Sequence, residues 1–203
     1  MKNMTKYLLA SALALALATP AMAQVVPPNA VQLTLTPATG SIGIGGSLTF
    51  NINISNLQGS PDAPQELAGY DLILDFNPAV LTVTGDTLGT NLNIGGQGDS
   101  SFVNISSGQI EIFDFSNDVT PGDFSSQAKS FTIGTVTFTG VGAGTSALTF
   151  DPNSSFSDQN GFNIVAGYTN ASVAVVPEPS SMWLGLIGVP VLVGMALRRR
   201  MAA

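Results

Sequence analysis

Apolar and polar residues alternate along most of the middle of the chain, which is the period of a strand with one buried face. The clearest case follows the pair Gly45-Gly46, where every second residue from Leu48 to Ile54 is apolar. The alternation predicts eight strands, at residues 31–35, 48–54, 70–76, 81–84, 109–115, 131–139, 145–150 and 171–175. No stretch between Gln24 and Val176 keeps a helical period, so the pattern predicts an all-β sandwich of about eight or nine strands in two sheets.

One predicted strand, at residues 131–139, contains a shift in this alternation. Its apolar positions are odd-numbered up to Ile133 and even-numbered from Val136, with Gly134 between them. A glycine at such a shift is typical of a β-bulge, in which one extra residue is inserted into a strand. We therefore predict a bulge at Gly134.

The first 23 residues have the pattern of a secretory signal peptide. Two lysines, Lys2 and Lys6, precede an apolar run at residues 8–18, and Ala21-Met22-Ala23 supplies the small residues that a signal peptidase needs. Cleavage is expected after Ala23, followed by a linker at residues 24–30. The alternative is a retained anchor, but the run is shorter than the roughly 20 apolar residues that span a bilayer.

The C-terminal 28 residues combine three elements in a fixed order. Val176-Pro177-Glu178-Pro179-Ser180 precedes an apolar run at residues 182–197, which ends at Arg198-Arg199-Arg200. The run predicts a transmembrane helix, and the arginines predict that its C-terminal end stays in the cytoplasm. The alternative is an ordinary single-pass anchor that is never removed.

This tail resembles the PEP-CTERM sorting signal of Gram-negative bacteria. The resemblance implies that Pro177-Glu178-Pro179 is the recognition motif and that an exosortase, an integral-membrane cysteine protease, cuts near it. The helix would then hold the precursor in the inner membrane only transiently. The expected destination is the cell surface or the extracellular matrix.

The composition of the segment between the two termini excludes several classes of protein. From Gln24 to Val176 there are twelve acidic residues and one basic residue, Lys129, so the net charge is about −11. Nucleic-acid binding is excluded because phosphate contacts need basic side chains. The whole chain lacks histidine and cysteine, which rules out Ser-His-Asp catalysis, thiol nucleophiles and disulfide bonds.

Residues 31–175 resemble a cohesin-type domain. The resemblance rests on Phe-Asn-Pro-Ala-Val-Leu at residues 76–81 and on the order of the segments 45–50, 69–81, 133–138, 144–148 and 171–175. It implies a jelly-roll β-sandwich, related to carbohydrate-binding modules, whose best-known members bind dockerin modules. The Gly-, Ser- and Asn-rich segments 85–108 and 114–127 are long insertions relative to that family.

Two pairs of carboxylates are candidates for a glycosidase site. Asp71 and Asp75 share one face of a predicted strand at a separation of about 13 Å, whereas glycosidases hold their carboxylates about 5 to 9.5 Å apart. Glu111 and Asp114 fall on opposite faces of their strand. Both pairs are therefore interpreted as solvated surface groups, and no catalytic residue is predicted.

A calcium loop is the remaining candidate for an ion site. Asp151, Asn153, Ser155 and Asp158 place oxygen atoms at alternating positions, but phenylalanines stand where the turn glycine and the closing glutamate belong. The alternative is a turn-rich loop in which Asp and Asn cap their own backbone.

Four phenylalanines could form a surface that stacks on sugars or on a partner protein. They are Phe102, Phe113, Phe115 and Phe124, and about half of them are expected in the core because aromatic residues dominate sandwich interiors.

The predicted function is therefore an exported, non-enzymatic protein of the envelope or exopolysaccharide that binds protein or carbohydrate. The alternatives are a passive matrix component without a ligand and, ranked lower, a glycan-active enzyme.

Overall fold

A computed structural model of the protein describes residues 30–57, 66–118 and 123–177. These residues form twelve strands and one short 3-10 helix, Asp123–Ser126. The strands are β1 (Val31–Thr36), β2 (Thr39–Gly43), β3 (Ser47–Ser55), β4 (Gly69–Asp75), β5 (Leu81–Leu88), β6 (Asp99–Ser106), β7 (Gln109–Ser116), β8 (Phe131–Gly140), β9 (Gly144–Phe150), β10 (Ser155–Ser157), β11 (Ala166–Thr169) and β12 (Ala171–Val176). The predicted all-β fold is confirmed.

The strands form two sheets that face each other across the core. One sheet has the order β11-β1-β3-β8-β5, and the other has the order β2-β12-β9-β4-β7-β6 with β10 added beside β4. Most pairs are antiparallel, but β1 runs parallel to β11 and β2 runs parallel to β12. Strands β11 and β12 are consecutive in the chain but belong to different sheets. The short connection between them links the two sheets.

The core lies between the sheets and follows from the alternation in the sequence. Inward positions on β3 (Phe50, Ile52 and Ile54) and on β4 (Leu72 and Leu74) are fully buried in one apolar cluster. At about 25 cal/mol per Å² of apolar surface, burial of this cluster is the main stabilising contribution to the fold.

The outer face of the five-stranded sheet is a polar layer of hydroxyl groups. Cross-strand hydrogen bonds join Thr49 to Thr137 at 2.8 Å and Thr87 to Thr135 at 2.6 Å, measured between hydroxyl oxygens. Such threonine pairs contribute about 0.2 to 1 kcal/mol each to sheet stability. The outer face of the seven-stranded sheet differs, because it carries the aromatic rings of Phe102, Phe113 and Phe115.

All eight predicted strands are present, and the bulge at Gly134 is confirmed. Ile52 pairs with Gly134 while Asn53 pairs with Thr132, so Ile133 is the extra residue. Four strands were not predicted, namely β2, β6, β10 and β11. Strand β6 lies within the segment 85–108, and nearly all its side chains are exposed, so no alternation marks it.

The predicted signal peptide, most of the sorting tail and its transmembrane helix lie outside the described residues. The part of the chain that the structure describes contains no candidate for a membrane-spanning helix.

Candidate functional site

The outer face of β4, β7 and β6 differs in chemistry from the rest of the surface. Side chains alternate across these strands, so Tyr70 and Leu72 of β4 point into the core while Asp71 points outward. On β7 the outward positions include Glu111, Phe113 and Phe115. The register places Phe113 between Asp71 of β4 and Phe102 of β6.

Three phenylalanines form an aromatic patch on this face, defined here as Phe102, Phe113 and Phe115. The rings of Phe102 and Phe113 stack across β6 and β7 with centroids 5.1 Å apart and planes inclined by 13°. Phe102 is 48 % exposed and Phe115 is 46 % exposed. Neighbouring rings that stay half-exposed on a regular sheet are typical of an interaction surface.

A shallow pocket of about 280 Å³ opens beside the patch. It lies where β10 joins β4, and its wall includes Gly69, Asp71, Phe113, Phe115, Ser155 and Asn163. A Cβ atom on Gly69 would lie 2.5 Å from Cδ2 of Phe115. Glycine at this position therefore lets the Phe115 ring lie against the backbone of β4 and form one side of the pocket.

Carboxylates surround the patch on the same face. Glu111 accepts a hydrogen bond from the amide of Asn104 at 3.3 Å, and Asp75 accepts one from Gln109 at 3.0 Å. Oδ1 of Asp71 is buried and has no hydrogen-bond partner. Burial raises the pKa of Asp71, and the nearby Glu111 raises it further. The described part of this face contains no basic residue, so its charge is uncompensated.

Asp114 lies behind the patch, between Phe113 and Phe115 in β7, and points into the protein. It is 1 % exposed, and its Oδ1 has no hydrogen-bond partner. Burial raises the pKa of Asp114 to about 6, and the Asp99 carboxylate adds to the rise, while hydrogen bonds from Phe115 and Tyr70 oppose it. The sequence-based interpretation of Asp114 as a solvated group is wrong. The alternation of β7 places residue 114 on the inner face, where an apolar residue is expected, and the carboxyl is buried there.

The predicted calcium residues have local structural roles. Asp151 Oδ1 accepts the backbone N–H of Asn153 at 2.7 Å, and Asp158 Oδ1 accepts those of Asn160 and Phe162, each at 2.8 Å. Ser155 lies in β10 and is exposed. In the described ranges, no three acidic, histidine or cysteine side chains come together in a group that could hold a metal.

One of the four candidate phenylalanines lies in the interior, fewer than the expected half. Phe124 is 1 % exposed and belongs to the interior, whereas the other three form the patch. Asp71 and Asp75 share the outer face of β4, and Glu111 and Asp114 lie on opposite faces of β7, as the alternation predicts. The interpretation of all four as solvated groups is wrong for Asp114, which is buried.

A family comparison identifies the C-terminal segment. Residues 175–200 match the model of the PEP-CTERM protein-sorting motif. The match includes all three elements of the tail, from Val176 to the arginine cluster. The chain therefore carries the sorting motif of an exported protein, as its sequence predicted. A search of curated proteins found no significant match.

A comparison with solved structures identifies the fold of the β-sandwich. A type I cohesin–dockerin complex from Clostridium thermocellum matches with a TM-score of 0.56 and 14 % identity, over 73 % of this chain and 94 % of that chain. A non-cellulosomal cohesin from Archaeoglobus fulgidus matches with a TM-score of 0.53 and 15 % identity, over 75 % and 96 %. CaCohA2 from Clostridium acetobutylicum matches with a TM-score of 0.53 and 22 % identity, over 72 % and 91 %. The chain thus combines a cohesin-like β-sandwich with a PEP-CTERM protein-sorting motif.

Proposed function

We propose that this chain is a non-enzymatic exported protein whose cohesin-like domain binds a partner protein of the dockerin type through the aromatic patch. Its domain would occupy residues 31–175, between a signal peptide cut after Ala23 and a sorting tail from Val176. The tail would hold the precursor in the inner membrane until an exosortase cuts near Pro177-Glu178-Pro179. The product would reach the cell surface or the extracellular matrix.

The observation that carries this proposal is the stacked pair Phe102 and Phe113 beside the pocket. Aromatic residues dominate the binding energy of protein interfaces, especially when they stand near a concave site that a partner side chain can fill. The β-sheet holds both rings in a fixed arrangement, so little side-chain entropy is lost on binding. The similar cohesin from Clostridium thermocellum forms a complex with a dockerin.

The charge of the surface defines the chemistry of the partner. Asp71 and Glu111 lie on the patch side of the domain, and Asp71 holds a buried oxygen without a hydrogen-bond donor. A partner that offers lysine or arginine side chains to this face would oppose the negative charge of Asp71 and Glu111. We therefore expect the contacting surface of the partner to be neutral or basic.

Neither carboxylate pair considered from the sequence has the geometry of a glycosidase pair. Asp71 and Asp75 are four residues apart on one strand, a separation of about 13 Å, which is wider than the roughly 5 to 9.5 Å of glycosidase pairs. Glu111 and Asp114 point to opposite sides of the sheet. Neither arrangement supplies the paired acid and base that hydrolysis of a glycosidic bond needs.

A second candidate is carbohydrate binding in the pocket. Its wall combines the rings of Phe113 and Phe115 with polar groups of Asp71, Ser155 and Asn163. Apolar walls with a few convergent polar groups are typical of small-molecule sites. An exopolysaccharide would then be the ligand that retains the processed protein in the matrix.

The test measures binding of the full chain in detergent micelles to a panel of dockerin modules and, separately, to exopolysaccharide oligosaccharides. We expect saturable binding to a dockerin and a loss of at least tenfold in affinity, about 1.4 kcal/mol, in Phe113→Ala. The matched control is Ile44→Ala, because Ile44 is 42 % exposed but lies outside the patch in the β2–β3 turn. This control should bind as the wild type does.

The other outcomes separate the alternatives. Binding of the oligosaccharides alone, lost in Phe113→Ala and kept in Ile44→Ala, would replace the first proposal with the second. An absence of binding in both panels would contradict both and favour a passive matrix component. Turnover of the glycans that disappears in Asp71→Asn or Asp75→Asn would establish an enzyme instead.

A further inference from the structure

Strand β6 is an open edge of the seven-stranded sheet. It pairs with β7 through eight consecutive residue pairs, from Asp99 opposite Ser116 to Ser106 opposite Gln109. Within the described ranges, no strand lies on its other side. Its outward-directed backbone N–H and C=O groups are therefore available to another strand.

The other edges of the two sheets carry features that discourage such pairing. Strand β5 has a register shift between Val83 and Gly85 and an exposed charge at Asp86. Strands β2 and β11 are only five and four residues long. By contrast, β6 has eight residues in unbroken register, without lysine, arginine or proline, and its single charge is Asp99 at the start of the strand. It lacks the usual protections of an edge strand.

Each face of β6 carries one large exposed apolar side chain. Phe102 points to the outer face and is 48 % exposed, whereas Ile105 points to the inner side and is 49 % exposed. Apolar side chains on both sides of an unpaired edge would be covered by a strand added in the same plane. This surface therefore favours edge-to-edge pairing over a contact with one face alone.

We propose that two copies of this chain associate through antiparallel pairing of their β6 strands, with Phe102 opposite the same residue of the second copy. Such a two-fold contact uses one surface twice and closes as a dimer. The stacked pair of Phe102 and Phe113 would continue across the dimer as a row of four rings, and cross-strand aromatic pairs stabilise sheets. Phe115 and the pocket would remain accessible, whereas Phe102 would be shared by the dimer contact and the partner site proposed above.

The distribution of charge on β6 supports a second copy as the partner. In this register Asp99 stands opposite Ile105 of the second copy, and Ser100 stands opposite Asn104. The two Asp99 carboxylates are then about 20 Å apart along the strands, which is more than twice the screening length of about 8 Å at physiological salt. A domain with a large negative charge thereby pairs with itself through its neutral edge.

The register can be tested by disulfide formation, because the natural chain has no cysteine. Ser100→Cys and Asn104→Cys would be made in separate full chains, mixed in detergent micelles and oxidised mildly. The paired positions would place Cα atoms about 4.5 to 5.5 Å apart, within the range of a disulfide. We expect a cross-linked dimer from the mixture. Either variant alone should give none, because identical positions would lie about 13 Å apart.

A charge exchange at Phe102 tests whether this edge holds the dimer together. Sedimentation velocity of the full chain in micelles should show a dimer for the wild type and monomers for F102K and for F102E, since each would oppose like charges. An equal mixture of F102K and F102E should recover the dimer. This recovery would also show that both variants fold.

Four results would overturn the proposal. The first is a wild-type chain that stays monomeric at tens of micromolar, which would leave the edge to a strand of another protein. The second is a dimer that persists in F102K, and the third is a mixture of F102K and F102E that stays monomeric. The fourth is a cross-link from Ser100→Cys alone. Loss of dockerin binding in Phe113→Ala with the dimer intact would separate this contact from the proposed partner site.

Discussion

Gly69 and Phe115 are in such close contact that no other residue fits at the glycine position without movement. A Cβ atom on Gly69 would lie 2.5 Å from Cδ2 of Phe115. The ring thus packs against the backbone of β4, and the shape of the neighbouring pocket depends on this contact. Glycine is unfavourable within a strand, but at position 69 it allows the ring position that shapes the candidate site.

We expect Gly69→Ala to lower the free energy of unfolding by about 1 to 3 kcal/mol, the usual cost of overpacking. The added methyl group would have to displace the Phe115 ring. The matched control is Gly85→Ala in β5, where the nearest atom to the new Cβ would be Cβ of Thr137 at 3.8 Å. Urea unfolding should show a change of less than about 1 kcal/mol for this control. Equal losses in both variants would contradict the proposed contact.

The buried Asp114 should make stability fall as the pH rises through the mildly acidic range. Its pKa is raised to about 6 in the folded protein from an ordinary value of 3.8. The folded state therefore holds the proton more tightly, so the contribution of this group is favourable below pH 3.8 and is lost as the pH rises through about 6.

Asp114→Asn removes the charge and keeps the shape of the protonated side chain. We expect it to raise the free energy of unfolding at pH 7.5 by about 1 to 2 kcal/mol, because the asparagine has no negative charge to bury. At pH 3.5 the variant and the wild type should be about equally stable. Urea unfolding at both values tests this, and an equal effect at the two pH values would contradict the titration of Asp114.

Asp118 should respond to pH in the opposite sense. Burial alone would raise the pKa of Asp118, but hydrogen bonds from the backbone N–H groups of Gly95 and Gln97, at 2.7 and 3.1 Å, outweigh it and lower the pKa. Its contribution is therefore present above pH 3.8 and is lost as the pH falls through the lower pKa of the folded state.

Asp118→Asn should destabilise the protein at pH 7 and have a smaller effect near pH 2. The carboxylate holds the loop between β5 and β6, so amide exchange at Gly95 and Gln97 should also become faster in the variant. Hydrogen exchange measured by NMR at pH 7 checks this local effect. Unchanged exchange at both amides would contradict the role of Asp118 in holding the loop.

The sandwich could be predicted because most of its strands bury one face only. In β3, β4, β7 and β8 the alternation marks the core directly, and even the bulge at Gly134 is visible as a shift in phase. The aromatic patch could not be predicted in the same way. The contact of Phe102 with Phe113 depends on the register of β6 and β7, and β6 has no buried face that would reveal it.

The burial of Asp114 was missed for a related reason. A charged residue at an inward position of a strand interrupts the alternation of apolar and polar residues. The pattern then suggests that the strand ends there and that the charged side chain is solvated. In the structure β7 continues for two residues past Asp114, and Asp114 remains covered. The hydrogen-bonding role of Asp118 also depends on a loop brought close by the fold, more than 20 residues away along the chain.

The sorting tail should determine where the mature protein ends. If an exosortase processes the chain, the C-terminus should lie near Pro177-Glu178-Pro179, and the arginine cluster at residues 198–200 should be absent. Mass spectrometry of the protein released from cells that contain the protease would give the new C-terminus. Replacing residues 177–179 by three alanines should leave the full-length chain in the membrane fraction, because recognition is lost while the apolar run and the arginines remain. The matched control replaces residues 27–29, in the predicted linker, by alanines and should be released as the wild type is. An intact tail ending at Ala203 in the released protein would show that the motif does not direct cleavage.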